Sequence, residues 1–349
     1  MRRLLALLLA PILALWLAAC GPRAPVGQEA YVFGTRVELL VWGAPEAQAH
    51  AAMGEVLREF DRLHRTYHAW QPSELTALNE AIAAGRPHEV SEELAGLIRT
   101  AQTLSAKGDH LFDPGIGRLV ELWGFHGDEF KPVLPDAAAL EKLVTARPSI
   151  GRLTLDGRRL ASTDFSVALD FGGYLKGVAL DRATAILKAR GIGNALINIG
   201  GNVLALGSKG GTPWRVGIQH PRAAESGGLP LATLELRDGE AIGTSGDYQR
   251  YFEIDGKRYC HLIDPRTGAP ATGTQALTVL VPPQPDAGML SDVLSKPLFV
   301  AGDDWSRLAQ KLGTTQVLRV DAAGKISVTA ALKARLAFEP ANRPVSVMP

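Results

Sequence analysis

The sequence predicts an α+β fold, a single domain in which helices flank a large, mostly antiparallel sheet. Segments with helical spacing and segments with strand composition are mixed, without the strict alternation of a doubly wound parallel sheet. From Ala195 onward, strand-like segments follow one another with glycine-rich turns between them. No internal repeat or low-complexity stretch divides the chain, and its length suffices for one large core or two moderate ones.

The first element is a targeting segment. Arg2 and Arg3 precede an almost wholly apolar run from Leu4 to Ala19, the layout of a secretory signal. The run is short for a membrane helix, which needs ~20 residues. Leu17-Ala18-Ala19-Cys20 before Gly21 resembles a lipobox, so residues 1–19 read as a lipoprotein signal peptide and Cys20 as the acylated first residue. A lipidated Cys20 places the protein in the bacterial cell envelope, held at a membrane and facing the periplasm without crossing it. Residues 20–29 read as a tether and 30–340 as the folded domain. With Cys20 acylated, Cys260 has no partner for a disulfide, and stability rests on packing.

Tyr31 to Val41 alternates as a strand does. From Pro45 to Tyr67, Met53, Val56, Leu57, Phe60 and Leu63 recur at spacings of three and four, one face of an amphipathic helix. Ser91 is placed to cap a second helix that runs to Lys107 and stops at Gly108. Ile150 to Leu160 and Ser166 to Phe171 read as strands, and Leu175 to Arg190 as a helix that ends at Gly191. Further strands are expected over Ala195–Ile199, Val203–Leu206, Trp214–Gln219, Leu231–Leu236 and Ala276–Val281, with a hairpin turn at Asp255-Gly256.

Charge excludes one class of partner. Lys plus Arg total 37 and Asp plus Glu 36, a net charge of +1, and no basic run is long enough for a nucleic-acid track.

Four polar or glycine-rich clusters stand between apolar segments. Phe112-Asp113-Pro114-Gly115 leads to Leu122-Trp123-Gly124-Phe125. In Leu169-Asp170-Phe171-Gly172-Gly173-Tyr174-Leu175-Lys176 a strand turns through two glycines into a helix, where main-chain donors and Lys176 can approach a phosphate and a free carbonyl can face a cation. A plain turn with a solvated lysine satisfies the same spacing. The third cluster runs from Ala241 to Tyr248 and on to His261-Leu262-Ile263-Asp264-Pro265-Arg266-Thr267-Gly268. Both a satisfied structural histidine and a catalyst fit His261, and a capped turn fits Asp264. In the fourth, Asp292 and Lys296 lie four apart on one helical face, which suits an intrahelical ion pair and equally an oxygen ligand for a hard cation.

Taken in order, these segments resemble the ApbE family of FAD:protein FMN transferases. The likeness runs from Gly34-Thr35 through Ser73-Glu74-Leu75-Thr76-Ala77-Leu78-Asn79, Phe112-Asp113-Pro114, Asp170 to Gly177, Asn198-Ile199-Gly200-Gly201-Asn202, Thr244-Ser245-Gly246-Asp247-Tyr248 and His261 to Pro270, to Ser291-Asp292. It implies an ApbE-like fold and an enzyme that moves FMN from FAD onto a threonine or serine hydroxyl of a target flavoprotein, releasing AMP, with magnesium at the pyrophosphate. Leu111, Phe112, Asp113, Asp170, Lys176, His261 and Leu262 would contact FAD, with Phe33 and Tyr67 at the flavin. Gly173, through its main-chain oxygen, Asp292 and the Lys296 position would form the metal site. His261 and Asp264 are both candidates for the base, and sequence does not choose between them. Family members carry threonine where this chain has Lys296; protonated lysine is no ligand, so the metal is expected with one protein ligand fewer. An FAD pyrophosphatase and a non-catalytic FAD-binding lipoprotein are the rival readings, and a subunit of an envelope redox complex is the acceptor the resemblance implies.

Overall fold

The computed structural model describes residues 24–127, 129–222 and 227–348. The expected signal peptide and Cys20 lie outside them. No helix among the described residues is long and apolar enough to cross a membrane.

A nine-stranded sheet organises the chain. Its strands follow sequence order across the sheet: Val26–Val32, Thr35–Val41, Ala195–Ile199, Asn202–Leu206, Ala241–Gly246, Thr274–Val281, Val317–Asp321, Ile326–Thr329 and Val345–Met348. Every neighbouring pair is antiparallel except the last. This is the expected architecture, and it is wider at both edges than sequence indicated. Val26–Val32 begins inside the expected tether. As an edge strand it is only half-buried and carries Gln28 and Glu29, so its composition resembles a loop. At the other end Val345–Met348 lies beyond the expected boundary at residue 340.

Strand alternation gives the sheet two apolar faces. Leu39, Ile197, Leu204 and Val279 pack with Met53, Phe60, Leu180 and Val293 from the helices Glu46–Thr66, Leu175–Ala189 and Ala287–Val300. Leu196, Val203, Ala205 and Leu280 face the opposite way, onto Trp214, Ile218, Leu234 and Leu236 of a smaller sheet. The outer strands Trp214–Ile218 and Ala232–Leu236 are therefore not part of the main sheet. The predicted segment from Ile150 to Leu160 is a short 3₁₀ turn followed by a hairpin, Leu153–Asp156 with Arg159–Ser162.

The helix ends follow their caps. Ser91 Oγ accepts from Leu94 N at 3.1 Å, as the sequence predicted. Ser73 and Thr76 cap each other reciprocally to start Glu74–Ala83. Asp255 (φ 49°) and Gly256 (φ 73°) form the expected tight turn between Tyr251–Ile254 and Lys257–Cys260.

Ser166 to Phe171 does not form the expected strand, and its hydrogen bonds explain why. The Asn79 amide grips the backbone of Leu169, donating to its oxygen at 2.9 Å and accepting from its nitrogen at 2.7 Å. Asp170 N donates to Pro114 O at 2.8 Å, and Gly117 N to Ala168 O at 2.8 Å. With its backbone groups used by a side chain and a loop, the segment has no ladder to join. What results is a clamp that holds the Phe112–Pro114 loop beside Asp170–Gly173.

Candidate active site

Those two loops line a cleft with about 960 Å³ of empty space, part of it open to solvent. Thr244–Gly246, Arg250, His261–Ile263 and Lys296 line it as well. Of the residues expected at the site, Leu111, Phe112, Asp113, Asp170, Gly173, Lys176, His261, Leu262 and Lys296 all line this cleft. Asp292 stands behind Lys296. An adjoining cleft shares Asp170, Gly172, Lys176 and Arg250 and is walled by Phe33, His64, Tyr67, His68 and Trp70. Its aromatic rings suit a flat π system.

Phe33 and Tyr67 therefore share this second cleft. Phe33 sits at the turn of the first hairpin (φ 57°), edge-on to the His64 ring at 5.7 Å. Tyr67 contributes its ring only: its hydroxyl donates to Glu93 at 2.9 Å, and burial, reinforced by Glu93, pushes it well above the ordinary tyrosine range.

Asp113 is committed inward. Its Oδ1 accepts from Gly115 N and Ile150 N, each at 2.8 Å, and its Oδ2 from Ser149 Oγ at 2.5 Å. Burial raises its pKa against those bonds. These bonds fix the loop that carries Phe112. Asp170 is closer to a ligand role: it lines both clefts, accepts from Gly172 N at 2.7 Å, and burial raises its pKa.

The two base candidates separate cleanly. Asp264 does not line the cleft; Arg266 holds its carboxylate with Nε at 2.9 Å from Oδ1 and Nη2 at 2.8 Å from Oδ2. It also accepts from Arg266 N and, through its main-chain oxygen, from Gly268 N. The Asp-Pro-Arg-Thr-Gly run is thus the capped turn that its composition suggested, with the Asp264 carboxylate spent on Arg266 and the turn. The turn positions His261 and Leu262 instead, with Trp123 Nε1 bonded to Gly268 O at 2.7 Å.

His261 lies in the cleft with Nδ1 3.3 Å from the main-chain oxygen of Arg250. A carbonyl only accepts, so Nδ1 carries the proton and Nε2 keeps its lone pair. Burial first, then the charges of Arg250 and Lys176, lower its pKa to about 3, so the imidazole is neutral at physiological pH.

Cations crowd the cleft. Burial pulls Lys176 below the ordinary lysine range, opposed by Asp292, and no hydrogen bond ties its ammonium among the described residues. Lys296 Nζ lies 2.5 Å from Asp292 Oδ1 and 2.8 Å from Asp292 O. Asp292 Oδ2 accepts from Gly177 N at 2.9 Å. Arg250, which sequence reasoning missed, donates through Nη2 to Phe125 O and Gly127 O, while its buried Nε has no partner among the described residues. Nothing in the sequence around it marks it, since it only precedes a hairpin strand.

The metal expectation meets a different arrangement. Both carboxylate oxygens of Asp292 are engaged, one by an ammonium and one by a main-chain N–H. Among the described residues no three His, Cys, Asp or Glu side chains gather as metal ligands. As arranged, these donors do not fit a divalent ion.

Comparison with known proteins identifies the family. Residues 33–318 match the ApbE family. A FAD:protein FMN transferase of Rhodobacter capsulatus is 43% identical over 316 residues, covering 90% of this chain and 59% of the relative's length. A FAD:protein FMN transferase of Treponema pallidum is 31% identical over 81% of this chain and 82% of its own. The crystal structure of the ApbE protein from Thermotoga maritima superposes with a TM-score of 0.79 at 30% identity, over 89% of this chain and 99% of that one. The flavin transferase ApbE from Vibrio cholerae superposes at 0.76 with 27% identity, over 89% and 99%. The chain belongs to the ApbE family.

Proposed function

We propose that the protein is a FAD:protein FMN transferase, which moves the FMN half of FAD onto a serine or threonine hydroxyl of a target flavoprotein and releases AMP. The observation that carries the reading is the pairing of a neutral His261, its Nε2 unprotonated, with Lys176, Lys296 and Arg250 in one cleft. A proton acceptor beside several cations is what phosphoryl transfer to a hydroxyl demands.

The acceptor hydroxyl oxygen attacks the phosphorus on the FMN side, and His261 Nε2 takes its proton. The bond from that phosphorus to the bridging oxygen breaks, with the electron pair leaving on AMP. Lys176, Lys296 and Arg250 then face the charge that accumulates on the phosphate oxygens. The flavin ring sits in the adjoining cleft against Phe33 and the ring of Tyr67. Asp170, at the junction of the two clefts, orients the ligand between them.

We place the enzyme at the periplasmic side of a membrane, anchored through acylated Cys20, with a subunit of an envelope redox complex as acceptor. The lipobox-like Leu17-Ala18-Ala19-Cys20 supports the anchor. The deciding experiment incubates purified protein with FAD and a candidate acceptor, then assays AMP and covalent in-gel flavin fluorescence. Fluorescent acceptor with AMP establishes transfer. AMP without labelled acceptor means hydrolysis, and absence of AMP means binding alone.

A further inference from the structure

Lys296 occupies the cleft in a way that leaves little for a divalent ion to do. Its side chain is 12% exposed and that of Asp292 1%, so the pair is desolvated and held. The lysine stem lies along the Gly173 backbone: a Cβ on Gly173 would fall 2.8 Å from Lys296 Cε and 3.1 Å from Cδ. An ion bound at Asp292 would compete with an ammonium already 2.5 Å from Oδ1. A hard cation also needs about six oxygen ligands at short range, and the lysine nitrogen is not one of them while protonated.

We propose that Lys296 is the built-in cation of this cleft: its ammonium takes the place of a divalent ion, and FAD is held and turned over without one. This rests on the reading of the cleft as a FAD site. An ammonium has three N–H donors. Two go to the main-chain and carboxylate oxygens of Asp292, which leaves one for a ligand oxygen. One positive charge is less than a divalent ion supplies. Among the described residues the Lys176 ammonium has no hydrogen bond and the buried Arg250 Nε no partner, and these two cations make up the difference. Asp292 acts as a positioning residue that fixes the ammonium while Gly177 N holds its other oxygen. A tethered charge is present at full occupancy whatever the ionic composition around it, whereas a bound ion follows its own concentration.

The test uses the purified protein with FAD binding read by flavin fluorescence, once with EDTA and once with excess magnesium, alongside a manganese titration followed by electron paramagnetic resonance. In the wild type the FAD affinity is expected to agree within about twofold between the two conditions, with no stoichiometric manganese site. Lys296→Thr, which exchanges the ammonium for an oxygen, is expected to lose about tenfold or more in FAD affinity in EDTA and to recover it with magnesium. A stoichiometric manganese site in the wild type, or a wild-type FAD affinity that drops about tenfold on chelation, overturns the proposal. Should Lys296→Thr fail to fold, the wild-type titrations decide alone. Wild-type FAD binding that appears only with magnesium removes this inference and leaves the FAD site standing, whereas no FAD binding in either condition removes both.

Discussion

His261 Nδ1 lies 3.3 Å from the main-chain oxygen of Arg250, and that one contact sets the tautomer of the imidazole. The same oxygen accepts from His261 N at 3.0 Å, so backbone and ring are fixed together. With Nδ1 as donor, Nε2 is the proton acceptor. His261→Gln is therefore expected to lower the transfer rate by roughly 10²- to 10⁴-fold. FAD affinity should stay within a few-fold, since the cations that hold the diphosphate remain. Stopped-flow rates and equilibrium titration separate the two effects. A variant that loses binding and keeps its rate at saturating FAD would assign His261 to the ligand and not to the proton.

The pH profile follows from the same environment. An ordinary histidine has a pKa of ~6.5. Burial and the neighbouring cations bring His261 down to about 3, so the base is unprotonated throughout the neutral range. The profile of kcat/KM, which reports the free enzyme, should show no loss attributable to this base near pH 6.5. Linkage gives a second consequence. Between pH ~6.5 and 3 the unfolded chain binds a proton at this residue that the folded protein refuses. The corresponding stability is fully present above the unfolded value and is lost as pH falls through that window. Thermal melts over the window should show the wild type losing stability relative to His261→Gln as pH falls.

Asp264 offers the contrast. Its carboxylate is spent on Arg266 and on the turn, so Asp264→Asn is expected to change the rate less than about tenfold once the protein is folded. The cost falls on stability, about 1–2 kcal/mol, discounted because Arg266 is more than half exposed. Urea unfolding measures it. A rate loss matching that of His261→Gln, with stability unchanged, would restore Asp264 as a base.

How far the sequence could be read follows from where its signals are local. Ser91 caps its helix through an atom three residues away, and the Asp255-Gly256 turn depends on two adjacent residues, so both are legible in one dimension. The glycine-rich approach to Lys176 was legible for the same reason. Asp264 and His261 look alike in the sequence, however, because what separates them is Arg266 folding back on one and Arg250 supplying a carbonyl to the other. Ser166 to Phe171 has strand composition, yet Asn79, some 90 residues earlier, takes its backbone. Arg250 was invisible because its relation to the cleft is created by the hairpin that follows it. Spacing gave two meanings to Asp292 and Lys296, and the structure shows the ion pair.

Cys260 is buried against Leu262 O and Ala271 O, and burial pushes its thiol up to about 12. The thiolate is the reactive form, so the native protein should resist iodoacetamide at neutral pH. Mass spectrometry should find Cys260 unmodified in buffer and alkylated in denaturant. Rapid native labelling would mean that the turn carrying His261 opens readily.

Two glycines in helices make the last prediction, because they differ in what an added methyl group would meet. At Gly177 a Cβ would fall 2.6 Å from Met289 Cα, 2.7 Å from Asp292 Cβ and 2.7 Å from Gly288 O, all in the helix Ala287–Val300. Two of these are backbone atoms, which cannot swing aside as a side-chain end does. Gly177→Ala must force the helices apart, at about 1–3 kcal/mol or more. Because Gly177 N also holds Asp292 Oδ2, the separation should carry Lys296 out of place and weaken FAD binding as well. At Gly96, inside Glu92–Lys107, a Cβ meets nothing within 4 Å, and the backbone is already helical. Gly96→Ala should stabilise the protein by about 0.5–1 kcal/mol through helix propensity, with FAD affinity unchanged. Denaturant midpoints for both variants, measured beside FAD titrations, test the pair. If Gly177→Ala were as benign as Gly96→Ala, the close helix contact that positions Asp292 would not exist.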